Sequence, residues 1–418
     1  MSKLNVFYKE SLVGTLSRDS DLITSFSYSA QWLKDKDAFK LSLAMPLQKE
    51  IFGNKITLSF FENLIPEGDA RDSLEKSQQT KGTYDILKKF GEDCAGAIIL
   101  SEKEESPFDP SNLSPEIRIE IKDLYKAIDE KRSIAEVIAN LDPGYLSIAG
   151  AQDKFVAIYR DKNFYLPSGG LPTTHIVKAP IYRSGVKESV YNEYYCMKLA
   201  ELVGLSVPSC FILKHKEHPL YVTQRYDREI GTEVKRIHQQ DFCQAQGIVS
   251  EFKYEAKGGP TLKDNYLLIK NNVTITKRSK ALFDYLNWIC FNLLIGNNDS
   301  HSKNISLLLV DGRIEMAPFY DLLSTAVYPK LKKDFSFKLG DRDDPNKIGA
   351  SQFQMVDQEL DLKLGTMEKK ALEMSQKLLR HKDALASKLK MEYPNAKVFG
   401  RISELIEKRC KNLFRQGL

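Results

Sequence analysis

No stretch of this chain approaches the roughly 18 consecutive apolar residues that a membrane-spanning helix needs, so a membrane partner is not expected. The opening residues, Met1-Ser-Lys-Leu-Asn-Val-Phe-Tyr, lack the apolar core of a signal peptide and read as a strand, which makes the cytoplasm the expected location. Cysteine is sparse and scattered: Cys94, Cys196, Cys210, Cys243, Cys290 and Cys410 include no CxxC pair. That spacing argues against a disulfide framework or a zinc site and suits small buried hydrophobes. The six histidines form no HExxH-like cluster, so a dedicated transition-metal centre is not expected. No internal repeat is visible.

Charge of one sign is also not abundant. Lys and Arg number 61 against 56 Asp and Glu, a net charge of +5 that permits an anionic partner without requiring one. The excess gathers in the last fifty residues, from Lys369-Lys370 through Arg380-His-Lys382 to Lys408-Arg409 and Arg415. Interspersed Glu and Leu suggest amphipathic helices there. A solvated face is the ordinary reading, and a nucleic-acid contact is the other.

What remains is a globular composition, 42% hydrophobic and 28% charged, on 418 residues, too many for one ordinary core. The pattern predicts three parts: an N-terminal β/α module over 1–105, a strand-rich lobe over 106–235 and a helical lobe over 236–418. In the first part, Asn5–Tyr8 and Leu12–Leu16 predict a hairpin, with further strands at Phe26–Ser29, Phe39–Leu43 and Gly91–Leu100 and a short helix at Leu58–Ile65. Ser101–Pro115 is polar, holds three prolines and reads as a connector. The second part alternates at Lys154–Tyr159, Asn163–Leu166, His175–Lys178, Cys210–Leu213 and Leu220–Tyr226, broken by a helix over Ser189–Leu202 with Ser189 or a neighbour as its cap. Helices then dominate, the most apolar over Ala281–Leu294 and at least two more over 367–415. The expected class is α+β, a two-lobe arrangement like that of protein kinases.

The chemistry-bearing segment follows that apolar helix: Gly296-Asn-Asn-Asp299-Ser-His301-Ser-Lys303-Asn304. Asn304 stands five positions after Asp299, and Asp321 follows after a predicted short hairpin. An Asp that orients a hydroxyl and takes its proton, with an Asn and a second Asp on Mg²⁺, is the acidic core of a phosphoryl-transfer site. An Asn/Asp-rich turn also caps helices. Against that reading, Asp321 sits between Met316-Ala-Pro-Phe-Tyr and Leu322-Leu, a setting that half-buries a carboxylate, and so many polar groups beside a buried helix are costly unless something satisfies them.

A strand-rich lobe before a helical one is how kinases hold ATP, so phosphate-binding parts are expected in that lobe. Ser147-Ile-Ala-Gly-Ala-Gln-Asp-Lys154 has the small residues that let backbone N–H groups approach phosphate, a weak signal alone because such turns are common. Lys178 ends an apolar strand, and ATP phosphates with a helix carboxylate, Glu193, would satisfy its ammonium; a strand-end lysine reaching solvent is the other reading. Gln224-Arg-Tyr226 closes the last strand before the helical lobe, where backbone groups would read adenine. Asp227 and Arg228 beyond it are read as an ordinary structural ion pair.

These segments resemble the HipA-type serine/threonine kinase toxins of bacterial type II toxin–antitoxin systems. The resemblance runs through Phe60-Phe-Glu-Asn-Leu-Ile-Pro-Glu-Gly, Asp93-Cys-Ala-Gly-Ala, Ser147–Lys154, Thr174-His-Ile-Val-Lys, Asn192-Glu, Arg225-Tyr-Asp-Arg, His238-Gln-Gln-Asp-Phe-Cys-Gln-Ala, Gly296–Asn304 and Ala317-Pro-Phe-Tyr-Asp-Leu-Leu-Ser-Thr. The N-terminal module points to the full-length type. The resemblance implies Asp299 as catalytic base and Asn304 and Asp321 as Mg²⁺ ligands. It implies Lys178 on the ATP phosphates and Ala149, Gly150, Ala151, Gln152, Asp153 and Lys154 over them. It further implies the backbone at Gln224 and Tyr226 on adenine, and His301, Ser302 and Lys303 completing the nucleotide site beside Tyr320. Ser147 stands where the family autophosphorylates and silences itself, as about two added negative charges in a phosphate cradle should repel ATP.

Two positions depart from the family pattern, Gln224 and Asp153 each standing where Glu is usual, and Asn297-Asn298 replaces the common Asn-Thr. The implied partners are a HipB-type helix-turn-helix antitoxin, operator DNA reached mainly through it, and a protein substrate such as an aminoacyl-tRNA synthetase. Two other classes stay open at this point: a catalytically silent corepressor, against which the complete set of Lys178, Asp299, Asn304 and Asp321 argues, and a small-molecule or lipid kinase, since lipid kinases also use an Asp-x-His-x-x-Asn loop.

Overall fold

The alternation at the N-terminus is realised as a hairpin of β1 (Ser2–Tyr8) and β2 (Ser11–Arg18), followed by β3 (Thr24–Tyr28). The computed structural model describes residues 2–109, 116–142, 152–167, 170–215 and 218–415. After β3 come helices α1 (Asn54–Phe61), α2 (Gly68–Gln78) and α3 (Gly82–Phe90), then β4 (Ile98–Ser101) and β5 (Ile117–Ile119). The chain continues with α4 (Ile121–Asp129), α5 (Ile134–Leu141), β6 (Lys154–Arg160), β7 (Asn163–Leu166), β8 (His175–Lys178) and α6 (Ser189–Leu202). Next are β9 (Cys210–His215), β10 (His218–Gln224), β11 (Arg228–Ile230), β12 (Val234–Arg236), β13 (His238–Asp241) and α7 (Phe242–Gln246). The last elements are α8 (Leu262–Asn272), α9 (Ile275–Ile295), β14 (Ser306–Val310), β15 (Arg313–Met316), α10 (Ala350–Glu359), α11 (Thr366–Glu392) and α12 (Val398–Arg415).

These elements form two compact units, one of Met1–Ala179, Lys214–Ser250 and Leu308–Gly312, the other of Pro180–Leu213, Glu251–Leu307 and Arg313–Leu418. The first unit holds two antiparallel sheets, ordered β3-β2-β1-β4 and β5-β7-β6-β8-β10. Leu4, Val6, Val13, Leu16 and Phe26 of the first sheet pack with Trp32, Phe60 and Phe61 into one core. The second unit is mainly helical, with α9 at its centre. Trp288 of α9 stacks on Tyr285 at 6.1 Å and on Phe319 at 6.0 Å.

Three local expectations are revised. Phe39–Leu43 is not a strand, because side chains take its backbone groups: Leu41 N–H donates to Tyr28 Oη (2.9 Å) and Leu43 N–H to Gln240 Oε1 (2.8 Å). Only Ile98–Ser101 of the segment beginning at Gly91 is extended, since Gly91–Asp93 forms a 3-10 turn. The N-cap of α6 is Ser189's neighbour Glu188, in the left-handed region (φ 60°) and without a side-chain bond to the helix, while Ser189 Oγ accepts Ile181 N–H at 2.8 Å. The C-terminal basic residues are not all on a solvated face. Lys382 is buried with Asp383 at 2.7 Å and Glu407 at 3.3 Å, and the guanidinium of Arg409 donates to the Leu293 carbonyl in the last turn of α9.

The pair Asp227–Arg228 belongs to a larger structural network within the first unit. Arg225 grips Asp227 (2.9 Å) and Asp93 (3.0 Å), Arg228 grips the same two (3.0 and 2.9 Å), and Arg236 reaches Asp93 at 3.2 Å. Burial alone would raise both carboxyls. The surrounding guanidinium groups outweigh it and hold Asp93 and Asp227 below the usual carboxylate range. Their stabilisation is therefore complete above the unfolded carboxyl value of about 4 and is lost as pH falls through the depressed folded values. Asp93→Asn should lower unfolding free energy at neutral pH by about 3–5 kcal/mol and flatten its decline at acid pH, both read from urea midpoints across a pH series.

Candidate active site

Helix α9 ends at Gly296, whose φ of +79° lies in the left-handed region, and a Cβ there would sit 2.8 Å from Ala326 Cβ and from Leu405 Cδ2. Glycine is required both for the turn and for the close approach. The backbone N–H groups of Gly296 and Asn297 close the helix on the Asn292 carbonyl, at 3.1 and 2.9 Å. The helix end is thus satisfied by backbone, and the polar side chains beyond it are not needed as caps.

Those side chains are ordered instead by a chain of amides. Asn297 Oδ1 accepts Asp299 N–H (3.2 Å), and Asn297 Nδ2 donates to Asn292 Oδ1 (2.8 Å) and, at a longer 3.5 Å, to the Asp321 carbonyl. Asn298 Nδ2 donates to the carbonyls of Lys332 (3.1 Å) and Lys333 (2.9 Å), and Asn298 N–H donates to Thr325 Oγ1 (2.8 Å). Ser302 Oγ exchanges hydrogen bonds with the Asn265 amide of α8. Finally, Asn304 Nδ2 donates to the Asp299 carbonyl at 3.0 Å. That bond turns the amide so that its oxygen is the atom left for a cation.

Asp299 is half-buried, and one oxygen of its carboxylate accepts a hydrogen bond from the Tyr254 hydroxyl. His301, Ser302, Lys303 and Asn304 are buried around it. Tyr320 Oη donates to the Lys303 carbonyl (2.7 Å) and shares a bond with Ser306 Oγ (2.8 Å), joining the segment before Asp321 to the end of the Asp299 loop. Asp321 is half-buried, as its apolar flanks predict, and adopts φ +57°, a conformation uncommon for a residue with a side chain. Beyond it, the Asn192 amide of α6 takes both backbone groups of Ser324, at 2.7 and 2.9 Å, and donates to Tyr328 Oη at 3.0 Å. Glu193 follows Asn192 and is also buried.

Asp299, His301, Ser302, Lys303, Asn304, Tyr320 and Asp321 therefore share one assembly in the second unit. Two carboxylates and an amide oxygen are hard donors of the kind that suit Mg²⁺. Among the described residues no group of three or more His, Cys, Asp or Glu gathers as a metal site. A cation here would draw on the amide and on phosphate oxygens, as Mg²⁺ characteristically does.

The nucleotide-covering candidates lie in the first unit. Lys178 ends β8 only 7% exposed, opposite Lys154 of β6 and Tyr221 of β10, with its ammonium 5.6 Å from the Tyr221 ring. Gln152 Nε2 donates to the Ala179 carbonyl (2.5 Å), and Ala179 N–H donates to the Asp153 carbonyl (3.0 Å). The Asp153 carboxylate is committed to α5, accepting from Ser133 Oγ (2.6 Å) and Ile134 N–H (2.9 Å). Gln224 ends β10 opposite His175, and Tyr226 Oη donates to Gln239 Oε1 at 2.6 Å. Ser147, Ala149, Gly150 and Ala151 lie outside the described residues. Sequence reasoning missed Asn192, Asn297 and Tyr254 as parts of the site. Asn192 and Asn297 stood within quoted segments without an assigned role, and nothing in the spacing of Tyr254 signals its approach to Asp299.

Residues 146–385 match the family model of the HipA-like C-terminal domain, and residues 4–101 match that of the HipA N-terminal domain. A putative kinase of Sinorhizobium fredii, Y4mE, is 34% identical over 346 residues, 81% of either chain. The serine/threonine-protein kinase toxin HipA of Shewanella oneidensis is 32% identical over 359 residues, covering 82% of this chain and 79% of that one. The solved complex of S. oneidensis HipA with HipB and operator DNA holds a chain similar to this one at a TM-score of 0.83 and 26% identity, over 99% of this chain and 97% of that one. With family models on both parts of the sequence and a fold shared along nearly its whole length, the chain belongs to the HipA family of serine/threonine kinases.

Proposed function

We propose that this chain is a type II toxin that phosphorylates serine or threonine in a translation component such as an aminoacyl-tRNA synthetase, using Mg²⁺-ATP. Kinases of this family imply a nucleotide used with a metal. The observation that carries the reading is the bond from Asn304 Nδ2 to the Asp299 carbonyl, which holds a candidate base and a candidate cation ligand in one rigid loop. Asp299 orients the acceptor hydroxyl and takes its proton as the oxygen attacks phosphorus. Asn304 Oδ1 and the Asp321 carboxylate hold Mg²⁺. Lys178, Gln152 and Lys154 serve the phosphates with the segment Ala149–Ala151, and backbone at Gln224 and Tyr226 serves adenine. Bound Mg²⁺-ATP supplies the transferable phosphoryl group and neutralises charge that develops on it. Autophosphorylation at Ser147 silences the kinase, and a HipB-type antitoxin brings the chain to operator DNA as corepressor.

Asp299→Asn should reduce phosphate incorporation by at least about 100-fold, the lower range for loss of a general base; full labelling by this variant would remove Asp299 from its role. Asp321→Asn should be similarly inactive and demand more Mg²⁺. After induction in cells, phosphosite mapping should find Ser147 and a translation component modified by the wild type and neither modified by Asp299→Asn. A lysate in which lipid or sugar is labelled instead of protein contradicts the substrate class. In gel shifts the chain should retard operator DNA only with its antitoxin. Asn297→Ala should lower kcat by about 10- to 100-fold, the scale of a misplaced catalytic group, because both acidic loops lose a shared anchor; an unchanged kcat would show that they hold without it.

A further inference from the structure

Tyr254 lies outside the sequence segments that carry the family resemblance, yet its hydroxyl donates to Asp299 Oδ1. The loop carrying it is tightly drawn. The Tyr254 carbonyl accepts N–H groups of Lys257 and Gly259, both at 3.0 Å, and Gly258 N–H reaches the Glu255 carbonyl at 2.9 Å. A Cβ on Gly259 would meet the Phe252 carbonyl oxygen at 1.8 Å and that of Tyr254 at 2.8 Å, so the two sides of the loop approach as closely as only glycine allows. Glu255 Oε2 accepts Lys338 N–H at 2.9 Å, which fastens the loop to the segment after Phe337. The phenol ring stands edge-on against His301 at 4.9 Å and 85°, so a member of the Asp299 loop also fixes the ring's plane.

We propose that Tyr254 is a positioning residue for the phosphoryl-transfer reaction, holding the Asp299 carboxylate by one oxygen so that the other faces the acceptor hydroxyl. The terminal torsion of an aspartate is broad and two-fold. A carboxylate free to turn presents its lone pairs to the incoming hydroxyl for only part of the time, and orientation of this kind carries a large share of catalytic rate. A donor on Oδ1 from a braced ring removes that freedom. The two oxygens then have separate duties, one structural and one chemical.

The inference rests on Asp299 being the base, and the test separates the two. Wild type, Tyr254→Phe and Asp299→Asn are compared for kcat, KM for ATP, nucleotide Kd and thermal midpoint with a serine-containing protein acceptor. Tyr254→Phe keeps the ring, so the midpoint should be retained. Its kcat should fall about 10- to 100-fold, while KM for ATP and nucleotide Kd stay within about twofold of wild type. If Asp299→Asn remains active, the base assignment fails and takes this proposal with it. If Asp299→Asn is inactive while Tyr254→Phe matches wild type, only the role of Tyr254 is overturned. A rise in kcat would mark the phenol as a competitor for the acceptor hydroxyl's place, and a loss of nucleotide affinity in step with kcat would make it a nucleotide contact; either result overturns the proposal.

Discussion

The carboxamide of Asn297 joins the end of α9 to both carboxylate-bearing segments: its oxygen receives Asp299 N–H, and its nitrogen reaches Asn292 and, more distantly, the Asp321 carbonyl. A loop of polar residues set beside a buried helix is tolerable only when its donors and acceptors are matched. Here most of the matching is internal. Asn292 and Asn297 act as two-ended connectors, because a carboxamide offers donor and acceptor on one short stem, while Asn298 and Asn304 tie the loop down through their amide nitrogens. The same loop therefore offsets much of the cost of its burial, Asn298 Oδ1 remaining without a partner among the described residues, and keeps the two carboxylates.

Asp321 illustrates what such a framework makes possible. Its positive φ is a conformation that local preference disfavours and that surroundings must impose. Tyr320 on one side bonds to the Lys303 carbonyl, and Asn192 on the other takes both backbone groups of Ser324. The strained residue is thus clamped from two elements distant in sequence, α6 and the Asp299 loop. Gly296 contributes differently, by allowing the turn out of α9 to pass against Ala326 and Leu405 without a side chain.

In the first unit an equivalent organising role falls to charge. Three arginines and two aspartates, all buried except the half-buried Arg236, unite residue 93 of the N-terminal module with 225–236 beyond the second sheet. Thr173 and Gly96 complete the coordination, Thr173 Oγ1 donating to Asp93 at 2.5 Å and Gly96 N–H to Asp227 at 2.7 Å. Removing a buried charge of this kind exposes its partners to uncompensated burial, so the network acts as one piece. Arg225 lies between Gln224 and Tyr226, so the network fixes the backbone course at the end of β10.

The order of residues alone pointed to the class of chemistry, through the short spacing of Asp299, Asn304 and Asp321 and the segments shared with the HipA family. It also determined most strands and the central helix, where apolar periodicity dominates; β1, β2, β6, β8 and α9 follow their patterns. It misled at Phe39–Leu43, whose alternation predicts a strand but whose backbone N–H groups are taken by side chains 13 and 197 residues away, Tyr28 and Gln240. It left α2, α3 and α4 unassigned, because runs of nine to eleven residues give a helical period few turns on which to show. Only the tertiary structure decided that Asp153 braces the N-terminus of α5, that Asn192 pins the segment after Asp321, and that Tyr254 meets Asp299. Each of those contacts spans at least eighteen residues, and a hydrogen bond across such a span is set by how whole elements pack, which no local spacing encodes.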